Sequence, residues 1–186
     1  RLTPPGRPAL EVIGNSAFAN CKNLKSIVFD SSSEIESIGH KSFAYTSIQE
    51  VKFPSSLCCI EKSSFDHCKQ LKSVILPSDS KLTSIEEDAF NSSGIEEISF
   101  PSNLVEIKRN AFNSCTHLKS IKFDNESKLE KIGDESFLLT ACSEICFPSS
   151  VVEIGEKSFS NCYDLVSIEF PVDSKLKVIR KNAFSN

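Results

Sequence analysis

The sequence predicts a strand-rich solenoid of the α/β superhelix class, with a parallel β-sheet on one face and turns and short helical or 3-10 segments on the other. Three observations predict it. Eight of the fourteen phenylalanines, Phe18, Phe43, Phe65, Phe90, Phe112, Phe137, Phe159 and Phe184, recur at intervals of 25, 22, 25, 22, 25, 22 and 25 residues. Five residues before each stands an isoleucine (Ile13, Ile38, Ile60, Ile85, Ile107, Ile132, Ile154 and Ile179), and three residues earlier an aliphatic, from Leu10 through Val151 to Leu176. The residue just before each phenylalanine is small: Ala17, Ser42, Ser64, Ala89, Ala111, Ser136, Ser158 and Ala183. No coil of this size buries its own apolar face, so stability must come from stacking, with isoleucine and phenylalanine columns inside.

One strand per coil is expected over Leu24-x-x-Ile27-x-Phe29 and its equivalents, ending at Phe53, Leu76, Phe100, Phe123, Phe147 and Phe170. Its apolar positions alternate with polar ones, which gives one inward and one solvated face. Five of these strands run into Pro54, Pro77, Pro101, Pro148 or Pro171, which lack the N–H needed to continue a ladder. Gly14, Gly39, Gly133 and Gly155 follow the anchor isoleucine, whereas Glu61, Glu86, Lys108 and Arg180 fill that place elsewhere, so a left-handed backbone there is allowed without being required.

Residues 1–9, with Pro4, Pro5 and Pro8, do not fit the template and read as an irregular lead. Residues 10–186 read as a single repeat domain of seven to eight coils, expected to belong to a longer array because uncapped end coils expose apolar surface. The 25/22 alternation makes a 47-residue unit of two unlike coils. The long coil carries Cys21, Cys68, Cys115 or Cys162 three residues after its phenylalanine and an extra polar loop such as Ser78-Asp79-Ser80-Lys81.

Composition excludes several functions. A net charge of −4, from 21 basic and 25 acidic residues spread along the chain, gives no basic footprint for nucleic acid and no polybasic membrane patch. No apolar run approaches the roughly 18–20 residues of a membrane helix, so membrane insertion within this segment is not expected. Cys21, Cys68, Cys115 and Cys162 lie two coils apart, about 10 Å by strand spacing, which is too far for a disulfide, and are expected to be buried free thiols. Cys142 replaces a strand aliphatic and is expected in the core, while Cys59 and Cys146 are expected to face solvent, four coils apart and unpaired. The nearest approach to a metal motif, His67-Cys68 with Cys115-x-His117, is split across two coils, so no metal or other cofactor is expected. There is no Gly-x-Ser-x-Gly elbow and no glycine-rich phosphate loop, and only His40, His67 and His117 could act as imidazole bases, so no catalytic residue is assigned and the chain is read as no enzyme.

The chemistry left over sits on the solvated strand face. One position there reads Ser26, Glu50, Ser73, Glu97, Ser120, Glu144, Ser167, an alternation that holds neighbouring carboxylates about 10 Å apart. The other reads Val28, Lys52, Ile75, Ser99, Lys122, Cys146, Glu169 and varies from coil to coil, as a recognition surface on a fixed scaffold would. A balanced, merely solvated sheet face is the alternative. Asn91-Ser92-Ser93 and Asn125-Glu126-Ser127 are glycosylation sequons.

The template read from Leu10-Glu11-Val12-Ile13-Gly14-Asn15-Ser16-Ala17-Phe18-Ala19-Asn20-Cys21-Lys22-Asn23-Leu24 onward resembles the BspA-like class of leucine-rich repeats, over about residues 10–186. The resemblance implies a cell-surface or secreted protein of a host-associated microbe, engaged in adhesion, with a host or matrix protein or a surface glycan as partner. Exposed thiols fit an oxidising compartment poorly, which keeps a cytoplasmic interaction scaffold as the alternative. An accessory repeat domain of a larger protein, including one with a catalytic domain elsewhere, is a further alternative.

Overall fold

Each Leu10-type aliphatic stands eight positions before its phenylalanine in every coil, so this segment can repeat in step without limit. The structure, a computed structural model that describes residues 10–30 and 32–186, shows what this constancy builds. The irregular lead expected over residues 1–9 lies outside the described residues. In chain order the strands are β1 (Val12–Ile13), β2 (Ser37–Ile38), β3 (Glu50–Lys52), β4 (Cys59–Ile60), β5 (Ser73–Ile75), β6 (Ser84–Ile85), β7 (Glu97–Phe100), β8 (Glu106–Ile107), β9 (Ser120–Phe123), β10 (Lys131–Ile132), β11 (Glu144–Cys146), β12 (Glu153–Ile154), β13 (Ser167–Glu169) and β14 (Val178–Ile179).

Two walls of parallel strands result, where the periodicity predicted one. The anchor isoleucines close the short strands of a continuous eight-stranded sheet, β1-β2-β4-β6-β8-β10-β12-β14, in which isoleucine pairs with isoleucine at every step. The expected strand forms the second wall, as a four-stranded sheet β3-β5-β7-β9 and a two-stranded sheet β11-β13. Two-residue strands carry too little alternation to be read from hydropathy, which is why the first wall was not legible.

The third side of each coil is a run of turns, and no helix occurs among the described residues, so the helical or 3-10 segments expected there are replaced. Around Phe112, the N–H groups of Asn110, Phe112 and Ser114 donate to Asp134, Ser136 and Leu138 of the next coil at 3.0, 2.7 and 2.8 Å. The intervening N–H groups of Ala111, Asn113 and Cys115 close turns within the coil onto Lys108, Asn110 and Phe112. Alternation between neighbours thus satisfies every one of these donors, as a buried backbone requires. The geometry demands left-handed residues two before and two after the phenylalanine, and fifteen non-glycine residues from Ser16 to Asn182 hold φ of 52–61° there. Each costs up to roughly 1–2 kcal/mol against an ordinary backbone, so packing must hold them in place.

The left-handed conformation allowed at the glycines after the anchor isoleucine does not occur at Gly14, Gly39, Gly133 or Gly155. A Cβ on Gly39 would meet Ile13 O at 2.6 Å, and one on Gly155 would meet Gly133 C at 2.5 Å, so glycine there permits close approach of one coil to the next.

The phenylalanine column provides the packing. Successive rings from Phe18 to Phe184 are stacked 5.0–5.4 Å apart and within 15° of parallel. Phe53, Phe100 and Phe147 of the second aromatic column meet it edge-on, at 5.8, 5.6 and 5.7 Å from Phe65, Phe112 and Phe159. The small residues beside the column make room for the rings. Three of their hydroxyls, on Ser42, Ser136 and Ser158, are buried without a partner, whereas Ser64 donates to Glu61 O.

Phe112 is fully buried and Phe18, in the first coil, is 38% exposed. Phe112→Ala is therefore expected to lower unfolding free energy by about 3–5 kcal/mol and Phe18→Ala by much less, as read by urea denaturation. Equal losses would contradict a column packed most tightly in the middle coils.

Candidate recognition face

The second wall is less regular than the first because the extra residues of the long coil flank it. Phe123 and Leu129 are six residues apart where Phe147 and Val151 are four, and Phe112 and Leu118 are six apart where Phe137 and Cys142 are five. A short coil and the long coil after it pair well: β3 with β5 and β11 with β13 over three residues each, and β7 with β9 over four. A long coil and the short coil after it pair poorly. Only Ser73 and Glu97 pair between β5 and β7, and β9 and β11 are not hydrogen-bonded as strands. Aromatic spacing follows: Phe29–Phe53 and Phe123–Phe147 stand 6.1 and 6.4 Å apart, against 5.5 Å for Phe100–Phe123 and 5.2 Å for Phe147–Phe170. The residues of the first coil that were expected to form a strand, Leu24 to Phe29, do not join the sheet.

The splayed joints open clefts in this wall. One of about 450 Å³ lies between β9 and β11, bordered by Ser120, Lys122, Ser143, Glu144 and Cys146. Another of about 330 Å³ lies between the first coil and β3, bordered by Ser26, Val28, Phe29, Glu50 and Lys52. The residues singled out from the sequence fall where alternation places them. Val51, Val74, Ile98, Ile121 and Ile145 point inward and are buried. Ser26, Val28, Glu50, Lys52, Ile75, Glu97, Ser99, Lys122, Glu144, Ser167 and Glu169 are exposed, and Ser73 and Ser120 are half-buried. Register sets Glu50 beside Ser73, Lys52 beside Ile75, Glu97 beside Ser120 and Ser99 beside Lys122.

The charges of the two walls differ in their partners. Beside the eight-stranded sheet, Lys108 pairs with Glu86 at 2.7 Å, Arg180 with Glu153 at 2.6 Å, Lys62 with Glu87 at 2.8 Å and Lys131 with Glu106 at 3.6 Å. Hydrogen bonds donated to Glu86 and Glu153 hold Lys108 and Arg180 above their usual range. A groove of about 560 Å³ lies there, but most of its charged lining is engaged in these pairs. Among the described residues, Glu50, Lys52, Glu97, Lys122, Glu144 and Glu169 of the strand wall make no ion pair.

The cysteines divide by position. Cys68, Cys115 and Cys162 are buried as expected, and each donates to the carbonyl of the phenylalanine one coil earlier, Phe43, Phe90 and Phe137, at 3.1, 3.1 and 3.3 Å. The equivalent short-coil position holds Thr46, Ser93 and Thr140, whose hydroxyls lie 3.4, 3.3 and 3.2 Å from those sulfurs. This thiol–hydroxyl column went unread although its spacing is in the sequence, because serine and threonine are common elsewhere in the chain. Cys21, expected to be buried, is exposed, since it belongs to the first coil. Cys142 is in the core, Cys146 faces solvent as expected, Cys58 is exposed, and Cys59 is half-buried in the sheet rather than solvated.

Burial pushes the Cys59 and Cys68 thiols up and Cys115 up to about 11, and a hydrogen bond to Glu169 raises Cys146, so these four sulfurs are held protonated. His40 Nδ1 lies 2.9 Å from Lys62 O, and His67 Nδ1 lies 2.7 Å from Asp66 Oδ1 while its ring stacks on Tyr45. No three His, Cys, Asp or Glu converge on a metal position among the described residues. Of the two sequons, Asn125 is exposed in a turn, whereas Asn91 is half-buried and its Ser93 hydroxyl is buried against Cys115.

The sequence matches the family described as BspA type leucine-rich repeat region, in six copies, over residues 7–104 and 78–186, and the chain belongs to that family. It is similar in fold to a leucine-rich repeat protein from Bacteroides ovatus, with a TM-score of 0.71, 23% identity, and coverage of 94% of this chain and 55% of that one. The pneumococcal vaccine antigen PcpA follows with a TM-score of 0.53, 18% identity and coverage of 92% and 63%. A leucine-rich cell surface protein from Faecalibacterium prausnitzii gives 0.50, 21%, 95% and 68%. The chain thus spans 55% and 63% of the first two. No curated protein matches it significantly. Among the described residues no helix is long and apolar enough to cross a membrane.

In protein purified under reductant, a thiol reagent at pH 8 is expected to label Cys21 and Cys58 quickly and Cys146 and Cys59 more slowly. Cys68, Cys115, Cys142 and Cys162 should react only after unfolding. Fast labelling of Cys68 or Cys115 in folded protein would contradict the thiol–hydroxyl column.

Proposed function

We propose that this chain is a non-catalytic protein-binding module that acts through its strand wall, and that it works at the cell surface or outside the cell. The observation that carries the reading is the contrast between the walls. Most charges beside the eight-stranded sheet satisfy one another, whereas Lys52, Lys122, Glu50 and Glu144 stand unpaired around open clefts. Charges already desolvated by partners gain little from a ligand, while unpaired ones beside clefts are free to make new contacts. The fold supports a binding rather than a catalytic role, since leucine-rich repeats generally bind proteins. Similarity to a vaccine antigen and to a cell surface protein supports the location. The expected partner is a host or extracellular-matrix protein, with a surface glycan as the other ligand class.

One observation favours a second reading. Cys21, Cys58 and Cys146 are exposed free thiols, which are common inside cells and scarce outside them. An interaction scaffold in a reducing compartment fits that feature, and membrane-impermeant labelling of intact cells distinguishes the two: a labelled protein excludes the scaffold, and an unlabelled one excludes the surface module.

Binding to a panel of purified extracellular-matrix glycoproteins, measured by surface plasmon resonance, is expected to show saturable association with at least one. The Lys52→Glu/Lys122→Glu variant should weaken that association about tenfold or more, and Lys131→Glu, on the ion-paired wall, by less than about twofold. Unchanged affinity in the double variant removes the strand wall from the interaction.

A further inference from the structure

Cys142 fills a column position that holds Leu24, Ile48, Leu71, Ile95, Leu118 and Leu165 in the other coils. A thiol there sits one coil away from Cys162 of the next, and both sulfurs are fully buried. Thr140 Oγ1 lies 3.4 Å from Cys142 Sγ and 3.2 Å from Cys162 Sγ, so one hydroxyl touches both sulfurs. Cys115 is also one coil from Cys142, but its sulfur turns to the preceding coil, onto Ser93 Oγ and Phe90 O, whereas the Cys162 sulfur turns to the coil that carries Cys142, onto Thr140 Oγ1 and Phe137 O. Adjacent coils lie about 4.8 Å apart, a gap that a disulfide can span. Cys68 and Cys115 occupy the same position as Cys162 and have a hydroxyl neighbour but no second thiol.

We propose that Cys142 and Cys162 are a latent disulfide, a built site of oxidative modification that cross-links the sixth and seventh coils when the protein meets a hydroperoxide. The two sulfurs have unequal roles. The neighbouring Cys142 thiol favours the Cys162 thiolate against the opposing effect of burial, and Cys142 is correspondingly held protonated. Cys162 sulfur therefore attacks a peroxide oxygen; the O–O bond breaks, the departing oxygen takes up the thiol proton as water, and Cys162 becomes a sulfenic acid. Cys142 sulfur then attacks Cys162 sulfur, the S–O bond breaks, and the hydroxyl leaves with the Cys142 proton as a second water. Two thiols are oxidised by two electrons and one hydrogen peroxide is reduced to two waters. Burial keeps bulky thiol reagents out, and peroxide is small enough to follow water through local opening.

The test uses the chain with Cys21, Cys58, Cys59 and Cys146 replaced by serine, so that exposed thiols cannot exchange. Folded, reduced protein is treated with hydrogen peroxide, unfolded in an alkylating reagent, and digested without reduction. A peptide pair joined through Cys142 and Cys162 and two hydrogens lighter than the free peptides is expected, with Cys115 recovered alkylated and the link lost on reduction. Cys142→Leu, which restores the residue type of the column, should keep the circular dichroism of the parent and abolish the link. Recovery of both Cys142 and Cys162 as alkylated thiols, or as separate sulfinic and sulfonic acids, overturns the proposal.

Discussion

Each phenylalanine of the inner column lies 5.0–5.4 Å from the next, and the rest of the coil has to accommodate that spacing. Stacked rings separated by about one strand spacing put the backbones of adjacent coils at hydrogen-bonding distance. The isoleucines five residues earlier are thereby brought into ladder register, and the turn residues on either side of the ring are drawn into left-handed conformations that only this packing can hold. Because the offset from the first aliphatic to the ring is eight positions in every coil, the eight-stranded sheet and the turn ladder repeat without interruption.

The strand wall departs from that regularity for a reason of length. All the residues that make a long coil longer than a short one flank this wall, so its strands alternate between close and splayed joints while the opposite wall stays in step. The 47-residue unit is thus a physical unit as well as a sequence period: a short coil and the long coil after it form a strand pair, and clefts open where one pair meets the next. A regular scaffold on one side and an irregular, charge-bearing surface on the other suit a protein that must hold its shape and vary its contacts.

The fold was legible because each column is a residue type repeated eight times, and the candidate face was legible because Glu50, Lys52, Glu97 and Lys122 alternate with buried valine and isoleucine. What was not legible had weaker signals. The strands of the eight-stranded sheet are two residues long and give no alternation to detect. The left-handed positions hold Lys41, Tyr45, Glu135 and Leu139 as well as the asparagines that favour that conformation, so residue type did not mark them. Cys21 was misplaced because its equivalents are buried by a preceding coil, and position within the template says nothing about position in the stack. The unequal pairing of charges on the two walls depends on side-chain reach between coils, which spacing alone does not specify.

If the column governs the structure, coupling between its rings should be strong between neighbours and vanish with distance. Double-mutant cycles on unfolding free energy measure this most directly. Phe90→Leu with Phe112→Leu, rings 5.2 Å apart, should show a coupling of about 0.5–1.5 kcal/mol, and Phe43→Leu with Phe159→Leu a value near zero. No coupling between the neighbouring pair, or equal coupling in both, would contradict a solenoid held by ring-on-ring stacking.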